Sequence, residues 1–200
     1  MGIHTALLAA AAGTALCLGG TGVGGLDREP ANTTAQTAVG TTQPASTDKT
    51  KRCSTKIIHT HGNKGVSLTF DDGPSEHTRK LLKTLDRYNT PATFFILGVQ
   101  ARQHKNLVRK QAQQGHAVAN HSQTHSYNPT TIAAEIPSMN RLIRKLTGTQ
   151  PQYFRAPGLT QSPVINAAAR KANLCQVTHD YDIGDWKTPR ISSWEICKRV

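Results

Sequence analysis

The sequence is poor in cysteine, and none of its four cysteines forms a C-x-x-C pair. A zinc site built from cysteines is therefore not expected. Cys17 lies in an apolar N-terminal stretch, so Cys53, Cys175 and Cys197 can form at most one internal disulfide. Their spacing leaves the pairing open.

Acidic residues are also scarce: 12 Asp and Glu stand against 24 Lys and Arg, which gives a net charge of +12. The basic excess lies beyond residue 50 and is spread over predicted helices. Most of these basic side chains are expected on solvent-exposed helix faces. A chain of this charge is attracted to anionic polymers such as a cell-wall surface. Nucleic acid is not expected as a partner, because the basic residues form no compact run interleaved with aromatic residues.

Long apolar segments are missing as well. The N-terminal run Ala6–Leu18 has the length of a signal peptide and is too short for a transmembrane helix. Few large apolar side chains follow it, and such a stretch cannot bury enough surface to offset the entropy of ordering. We expect a signal peptide at 1–20, a disordered linker at 21–64 and a folded domain at 65–200. The protein is then secreted or associated with the cell wall.

From residue 65 onward, strand patterns alternate with helix patterns, which is typical of a parallel α/β fold. The helices are expected to start near residue 75, to cover 104–114, to end at Gly148, to open at Ser162-Pro163 and to open again at Ser192. Pro137 should kink the third of these helices or delay its start. The last helix is cut off at Val200, so we expect the sequence to be a fragment of a longer protein. The predicted strands are 66–70, 92–97, 117–119, 153–154 and 175–178.

Unusual polar segments follow four of these strands. They contain five of the nine acidic residues found in 51–200. The carboxyl ends of parallel strands are where α/β proteins place their sites, so the four segments should converge. They are Asp71-Asp72, Asn120–His125, Arg155–Gly158 and Asp180–Trp186.

Two histidines in the second segment favour a metal site. On a helical turn, His121 and His125 would face the same way and could share a cation. A strand-end aspartate completes a three-ligand set that suits zinc or a neighbouring transition metal better than magnesium or calcium. The alternative is a pair of surface histidines in a polar loop. Asp71 and Asp72 repel each other, so both remain ionised only beside a cation or a basic partner.

Taken together, the motifs resemble the polysaccharide deacetylases of carbohydrate esterase family 4. The resemblance covers roughly residues 65–190 and includes four of the family's five motifs in order. It implies a distorted (β/α) barrel, here truncated at its C-terminus, and hydrolysis of N- or O-acetyl groups on a polysaccharide by a metal-activated water. The matching segments are Thr69–Pro74, His121–His125, Arg155–Gly158 and Asp182–Trp186.

The resemblance also assigns roles. Asp72, His121 and His125 are implied to bind a divalent metal, either zinc or cobalt or another transition metal. Asp71 is implied to be the general base, and Arg155 the arginine that pairs with it and orients it.

The remaining roles concern substrate and the leaving group. Pro157 and Gly158 are implied to lie at the substrate, with the Gly158 N–H helping to hold the oxyanion, and Trp186 to wall the acetyl pocket. Asp185 is implied to orient a catalytic histidine. That histidine belongs to the fifth motif, a Leu-His, which has no counterpart before Val200.

Two questions stay open at this stage. Chitin, the N-acetylglucosamine of peptidoglycan and acetylated xylan all fit the same chemistry. The basic surface and the missing acid motif also allow a different class of protein, a catalytically impaired module that binds carbohydrate or cell wall on the same fold.

Overall fold

The computed structural model of the protein describes residues 5–6, 67–187 and 191–199. They belong to one unit, Met1–Ala12 with Cys53–Val200, and no residue of a second unit, Gly13–Arg52, is described. The predicted signal peptide at 1–20 and linker at 21–64 thus lie outside the described residues, apart from Thr5 and Ala6. In the described part, no helix combines the length and hydrophobicity needed to cross a bilayer.

The strands form one six-stranded sheet in which spatial order follows chain order. Strands β2 to β6 are parallel, and β1 pairs antiparallel with β2. Because every parallel crossover moves one strand in the same direction, the connecting helices lie on one face, as in the wall of a barrel. The predicted parallel α/β architecture is confirmed. The strands are β1 Thr5–Ala6, β2 Thr69–Asp71, β3 Thr93–Ile96, β4 Ala117–Asn120, β5 Tyr153–Phe154 and β6 Cys175–Gln176.

Six α-helices and one 3-10 helix, Pro157–Leu159, connect or follow the strands in the described residues. Two predicted boundaries are confirmed: the Ser162 side chain accepts a hydrogen bond from the Val164 N–H, and Gly148 ends its helix with φ 78°. The α-helices are α1 Thr78–Arg87, α2 Gly98–Gln103, α3 Lys105–Gln113, α4 Pro129–Thr147, α5 Pro163–Lys171 and α6 Ser193–Arg199.

Two local features differ from expectation. Helix α2 was not predicted; it begins at Gly98, directly after the predicted strand 92–97. Of the two effects expected of Pro137, a kink or a delayed start, the delay does not occur, because α4 starts eight residues earlier at Pro129 and is capped by the Asn128 side chain. A proline inside a helix costs about 3 kcal/mol. Burial of the apolar face of α4 outweighs that cost, since each fully buried aliphatic side chain contributes about 1.5–3 kcal/mol. The fully buried residues on this face are Ile132, Ile136, Met139 and Ile143.

Strand β2 shows how the fold positions the polar residues. Successive side chains of a strand point to opposite faces of the sheet. Phe70 stacks on Phe94 at 5.3 Å between ring centroids, in the core between the sheet and its helices. Thr69 and Asp71 therefore point to the other face. Both are buried there and both contact Arg155. The strand that supplies the core thus also presents a carboxylate to the inner side of the sheet.

Candidate metal and catalytic site

The structure brings the three predicted metal ligands together. Asp72 Oδ1 lies 3.4 Å from His121 Nε2 and 3.3 Å from His125 Nε2. One ligand atom of each residue lies within 4.8 Å of the others. The cluster is shielded from solvent, since the side chains of His121, Asp72 and His125 are 3%, 15% and 19% exposed.

These separations fit a tetrahedral ion. Two ligands each about 2.1 Å from a tetrahedral zinc lie about 3.4 Å apart, close to the observed spacings. Two imidazoles and one carboxylate also match the donor preference of zinc and its neighbours. A three-residue set leaves a coordination position open, which is the arrangement of catalytic rather than structural zinc sites.

The histidine pair is not on a helical turn, as its spacing suggested. His121 to Asn128 form a loop after β4, in which Ser122 and His125 have φ of 70° and 59°. A left-handed residue at each of these points interrupts any helix. The two imidazoles meet because this loop turns back, and Asp72 joins them from a left-handed conformation of its own, φ 64°.

The tautomer of His121 is set by the main chain. Its Nδ1 lies 2.7 Å from the carbonyl oxygen of Arg155. Because a carbonyl can only accept, Nδ1 carries the hydrogen, and the Nε2 lone pair points at Asp72 and the metal site. Such a contact fixes the ring orientation of a metal ligand.

A buried ion pair lies directly beside this cluster. Arg155 Nη1 donates to Asp71 Oδ1 at 2.7 Å, and both side chains are almost inaccessible to solvent. The second carboxylate oxygen, Asp71 Oδ2, lies 3.9 Å from His121 Nε2. One oxygen of Asp71 is thus held by the arginine, and the other faces the metal site.

Arg155 is itself held on every side. Its guanidinium donates to the Thr69 hydroxyl at 3.0 Å and to the carbonyl oxygens of Val177 and Thr178 at 3.3 and 3.0 Å. The ring of Phe95 lies 4.1 Å below its central carbon. A buried charge persists only when its donors are satisfied in this way. Arg155 therefore ties strands β2, β3 and β5 to the segment after β6.

The loop of the two histidines is held from α4 and α2. Glu135 Oε2 accepts from the Gln123 and Thr124 N–H groups at 2.8 and 3.1 Å, and Oε1 accepts from the Thr124 hydroxyl at 2.7 Å. The N–H groups of Gly98 and Val99 donate to the carbonyls of Ser122 and Gln123. The unpredicted helix α2 thus supports the metal-binding loop through its first turn.

We expect Glu135→Ala to weaken zinc binding about 10- to 100-fold, the effect usual for residues that orient metal ligands. The variant removes the acceptor of two N–H groups in the histidine loop without touching a ligand. A competition titration with a chromophoric chelator measures the affinity. Glu76→Ala is the matched control, since Glu76 is an exposed acidic residue whose carboxylate lies 3.5 Å from the exposed His77. Equal zinc affinity for both variants and the wild type would contradict this role.

A cavity of about 310 Å³ opens beside the cluster. Gly158 and Trp186 line it, as the resemblance implies, together with the base candidate Asp71. Pro157, between the lining residues Ala156 and Gly158, is buried as the first residue of the 3-10 helix. Asp185, directly before Trp186, is partly buried. The complete lining is Asp71, His121, His125, Tyr127, Ala156, Gly158, Leu159, His179, Asp182 and Trp186.

Asp182 and His179 line the cavity but were not predicted as site residues. Asp182 Oδ2 accepts from the Trp186 indole N–H at 3.0 Å, and Oδ1 accepts from the Gly184 N–H at 2.8 Å. Burial acts to raise the pKa of Asp182, but the two hydrogen bonds and the charges of His179 and Lys187 outweigh it. The pKa of Asp182 therefore lies below its ordinary value. The aspartate thereby fixes the indole at the cavity wall. The sequence feature that could have indicated this contact is the spacing, since Asp182 and Trp186 are four residues apart.

Comparison with known proteins links this site to one family. The family profile described as polysaccharide deacetylase matches residues 59–177. A chitooligosaccharide deacetylase from Bradyrhizobium sp. (strain ANU 289) is 34% identical over 136 residues, which are 65% of this chain and 62% of that protein. A peptidoglycan-N-acetylglucosamine deacetylase from Bacillus cereus is 34% identical over 128 residues, 61% of this chain and 46% of that protein.

The fold agrees with the sequence. A family 4 carbohydrate esterase from Streptomyces lividans, solved in complex with acetate, superposes with a TM-score of 0.61 at 34% identity. The match covers 66% of this chain and 69% of that structure. The chain spans less than two thirds of the length of the two curated relatives, 62% and 46%.

Proposed function

The chain belongs to the polysaccharide deacetylase family, and from that membership we propose that it is a metal-dependent hydrolase that removes acetyl groups from a polymer of N-acetylglucosamine. Relatives named for chitooligosaccharide and for peptidoglycan support this substrate class over acetylated xylan. The metal we propose is zinc, on the strength of the two-imidazole, one-carboxylate donor set.

One observation carries the proposal. The carboxylate of Asp71 is clamped through one oxygen by Arg155 while its other oxygen faces the three-ligand cluster, 3.9 Å from His121 Nε2. A general base must lie within reach of the proton that it takes and must not itself be consumed as a metal ligand. The adjacent residues Asp71 and Asp72 divide these two tasks, because the strand end aims them differently.

The chemistry follows from these positions. A divalent ion held by Asp72, His121 and His125 would supply a Lewis acid that lowers the pKa of a water and polarises the acetyl carbonyl. Asp71 takes the proton from the attacking water, and Arg155 keeps the carboxylate in place during that transfer. The Gly158 N–H donates to the oxyanion, a contact commonly worth about 3 kcal/mol.

Hydrolysis forms a bond from the water oxygen to the acetyl carbon and breaks the C–N bond, which yields acetate and an amine. The leaving nitrogen needs a proton. The proton that Asp71 has taken from the water balances this demand when Asp71 passes it on. The family resemblance assigns the delivery to the histidine of a Leu-His motif, oriented by Asp185, which has no counterpart before Val200.

Acetate release from chitooligosaccharides tests the proposal. We expect release by the zinc-loaded protein, its loss with a chelator and its return when zinc is added back. Asp71→Asn should slow release about 10²- to 10⁴-fold, the range of a general base, while zinc content stays that of the wild type. Acetylxylan run in parallel tests the choice of substrate.

Two outcomes would contradict the hydrolase. If Asp71→Asn retained wild-type activity, Asp71 would not be the general base. A zinc-loaded wild type that binds oligosaccharide and releases no acetate would favour the impaired binding module instead.

We also propose that residues 1–20 are a signal peptide, 21–64 a linker and 65–200 the catalytic domain of a secreted or wall-associated protein; cleavage would then remove β1, Thr5–Ala6, from the sheet. The apolar run Ala6–Leu18 and the net charge of +12 support this, and the charge favours an anionic wall polymer as a further partner. N-terminal sequencing of the protein from the cell-wall fraction should start beyond residue 20. A start at Met1, in the cytoplasmic fraction only, would exclude export.

A further inference from the structure

We propose that Tyr127 is a substrate-positioning residue, an aromatic platform on which the sugar ring rests while its acetyl group enters the cavity. The inference builds on the proposed function and concerns how the substrate is held. Neither the motifs nor their spacing identified this residue.

Tyr127 stands at the mouth of the cavity. It lines the cavity although 65% of its surface is exposed. Its ring meets that of the proposed metal ligand His125 edge to face, at 5.2 Å and 88°. Among the described residues, none hydrogen-bonds its hydroxyl. The ring thus borders the metal site on one side and solvent on the other.

The residue that packs against the Tyr127 ring is a glycine, Gly158. A Cβ on Gly158 would lie 2.6 Å from Tyr127 Cε1 and 3.1 Å from Cδ1, and real Cβ atoms essentially never come closer than 3.0 Å. Gly158 also has φ +56°, which other residues seldom adopt. Any side chain at 158 would push the tyrosine ring out of its place. The position of the Tyr127 ring therefore depends on Gly158, because only a residue without a side chain leaves room for it.

The side chains that line the cavity beside Tyr127 have the chemistry needed to bind a sugar ring. Isolated exposed aromatic residues are ordinary on protein surfaces. Tyr127, however, lines the cavity together with Leu159 and with Trp186, whose indole N–H donates to Asp182. A sugar ring has apolar C–H faces edged by hydroxyls. A tyrosine offers a flat apolar face and a polar tip, which matches both features. The proposed metal ligands His121 and His125 and the base candidate Asp71 line the same cavity, so an acetyl group projecting from a sugar ring on Tyr127 could reach them.

Steady-state kinetics and calorimetric titration with chitooligosaccharides test this role in the zinc-loaded protein. We expect Tyr127→Ala to raise KM and the titrated Kd about 2- to 12-fold, the range of one aromatic contact, with kcat within about threefold of the wild type. Tyr127→Phe keeps the ring and should retain wild-type values within about threefold. Tyr88→Ala is the matched control, because Tyr88 is 48% exposed and follows α1, away from the cavity lining.

The outcomes separate this inference from the proposed function. With an active wild type, an unchanged KM in Tyr127→Ala overturns the platform and leaves the hydrolase standing. Loss of zinc from Tyr127→Ala also overturns it, because the ring would then act through His125. If the wild type binds oligosaccharide without releasing acetate, the hydrolase fails, and weaker binding by Tyr127→Ala still supports the platform. If the wild type neither binds nor hydrolyses, both proposals fall.

Discussion

Asp72→Asn and His125→Asn are each expected to lose the metal and with it the activity. Wild-type protein dialysed against zinc should hold about one ion per chain and each variant less than about a tenth of that, because a two-ligand remnant binds a divalent ion weakly. Acetate release should fall by at least about 10³-fold, since the ion contributes both the attacking water and carbonyl polarisation. Atomic absorption and acetate assays on the same samples measure the two effects.

Asparagine is the informative substitution at both positions. Asp72 and His125 have φ of 64° and 59°, and asparagine accepts this left-handed conformation better than alanine does. The backbone should therefore stay in place, and thermal melting of the dialysed proteins without zinc checks that it does. His77→Asn is the control, because His77 is an exposed histidine 3.5 Å from Glu76. Variants with full zinc content would refute the three-ligand site.

Arg155→Met is expected to cause the largest loss of stability, about 3–5 kcal/mol in the free energy of unfolding. The variant leaves the buried Asp71 carboxylate without its ion pair and removes donors from Thr69, Val177 and Thr178. Urea denaturation measures the change. Lys198→Met, which breaks the exposed pair with Glu195, should cost less than about 1 kcal/mol.

A double variant distinguishes an unpaired charge from a general packing defect. Arg155→Met with Asp71→Leu removes both charges, and we expect it to be more stable than Arg155→Met by about 1–3 kcal/mol. Zinc binding should persist in the single variant, because His121 contacts the carbonyl oxygen of residue 155 and not its side chain. Arg155→Met within about 1 kcal/mol of the wild type would show that the ion pair does not hold the strands together.

Much of the fold was predictable because its determinants are local. Alternating apolar positions, the Ser162 cap and the Gly148 stop are read within a few residues of each element, and the structure has them where they were expected. The differences from expectation have tertiary causes. Pro137 is tolerated inside α4 because the helix buries a continuous apolar face, and α2 forms because its first N–H groups bond to the loop of the histidines.

The residue types of the site could also be read from sequence, because parallel strands deliver the segments that follow them to one edge of the sheet. Asp71, Asp72, His121, His125 and Arg155 do meet there, and Gly158 and Trp186 line the adjoining cavity. Their catalytic roles stay predictions. The substrate contact of Pro157 and the histidine-orienting role of Asp185 stay predictions as well.

The sequence by itself determined which side chains could carry the chemistry and on which strand ends they sit, since those are properties of neighbouring residues. Only the tertiary structure decided how they are held. The left-handed loop that joins the two imidazoles, the Glu135 contact that supports it and the space that Gly158 leaves for Tyr127 all depend on residues distant in sequence. Contacts of that kind leave no periodic pattern along the chain, because each arises from packing between separate elements.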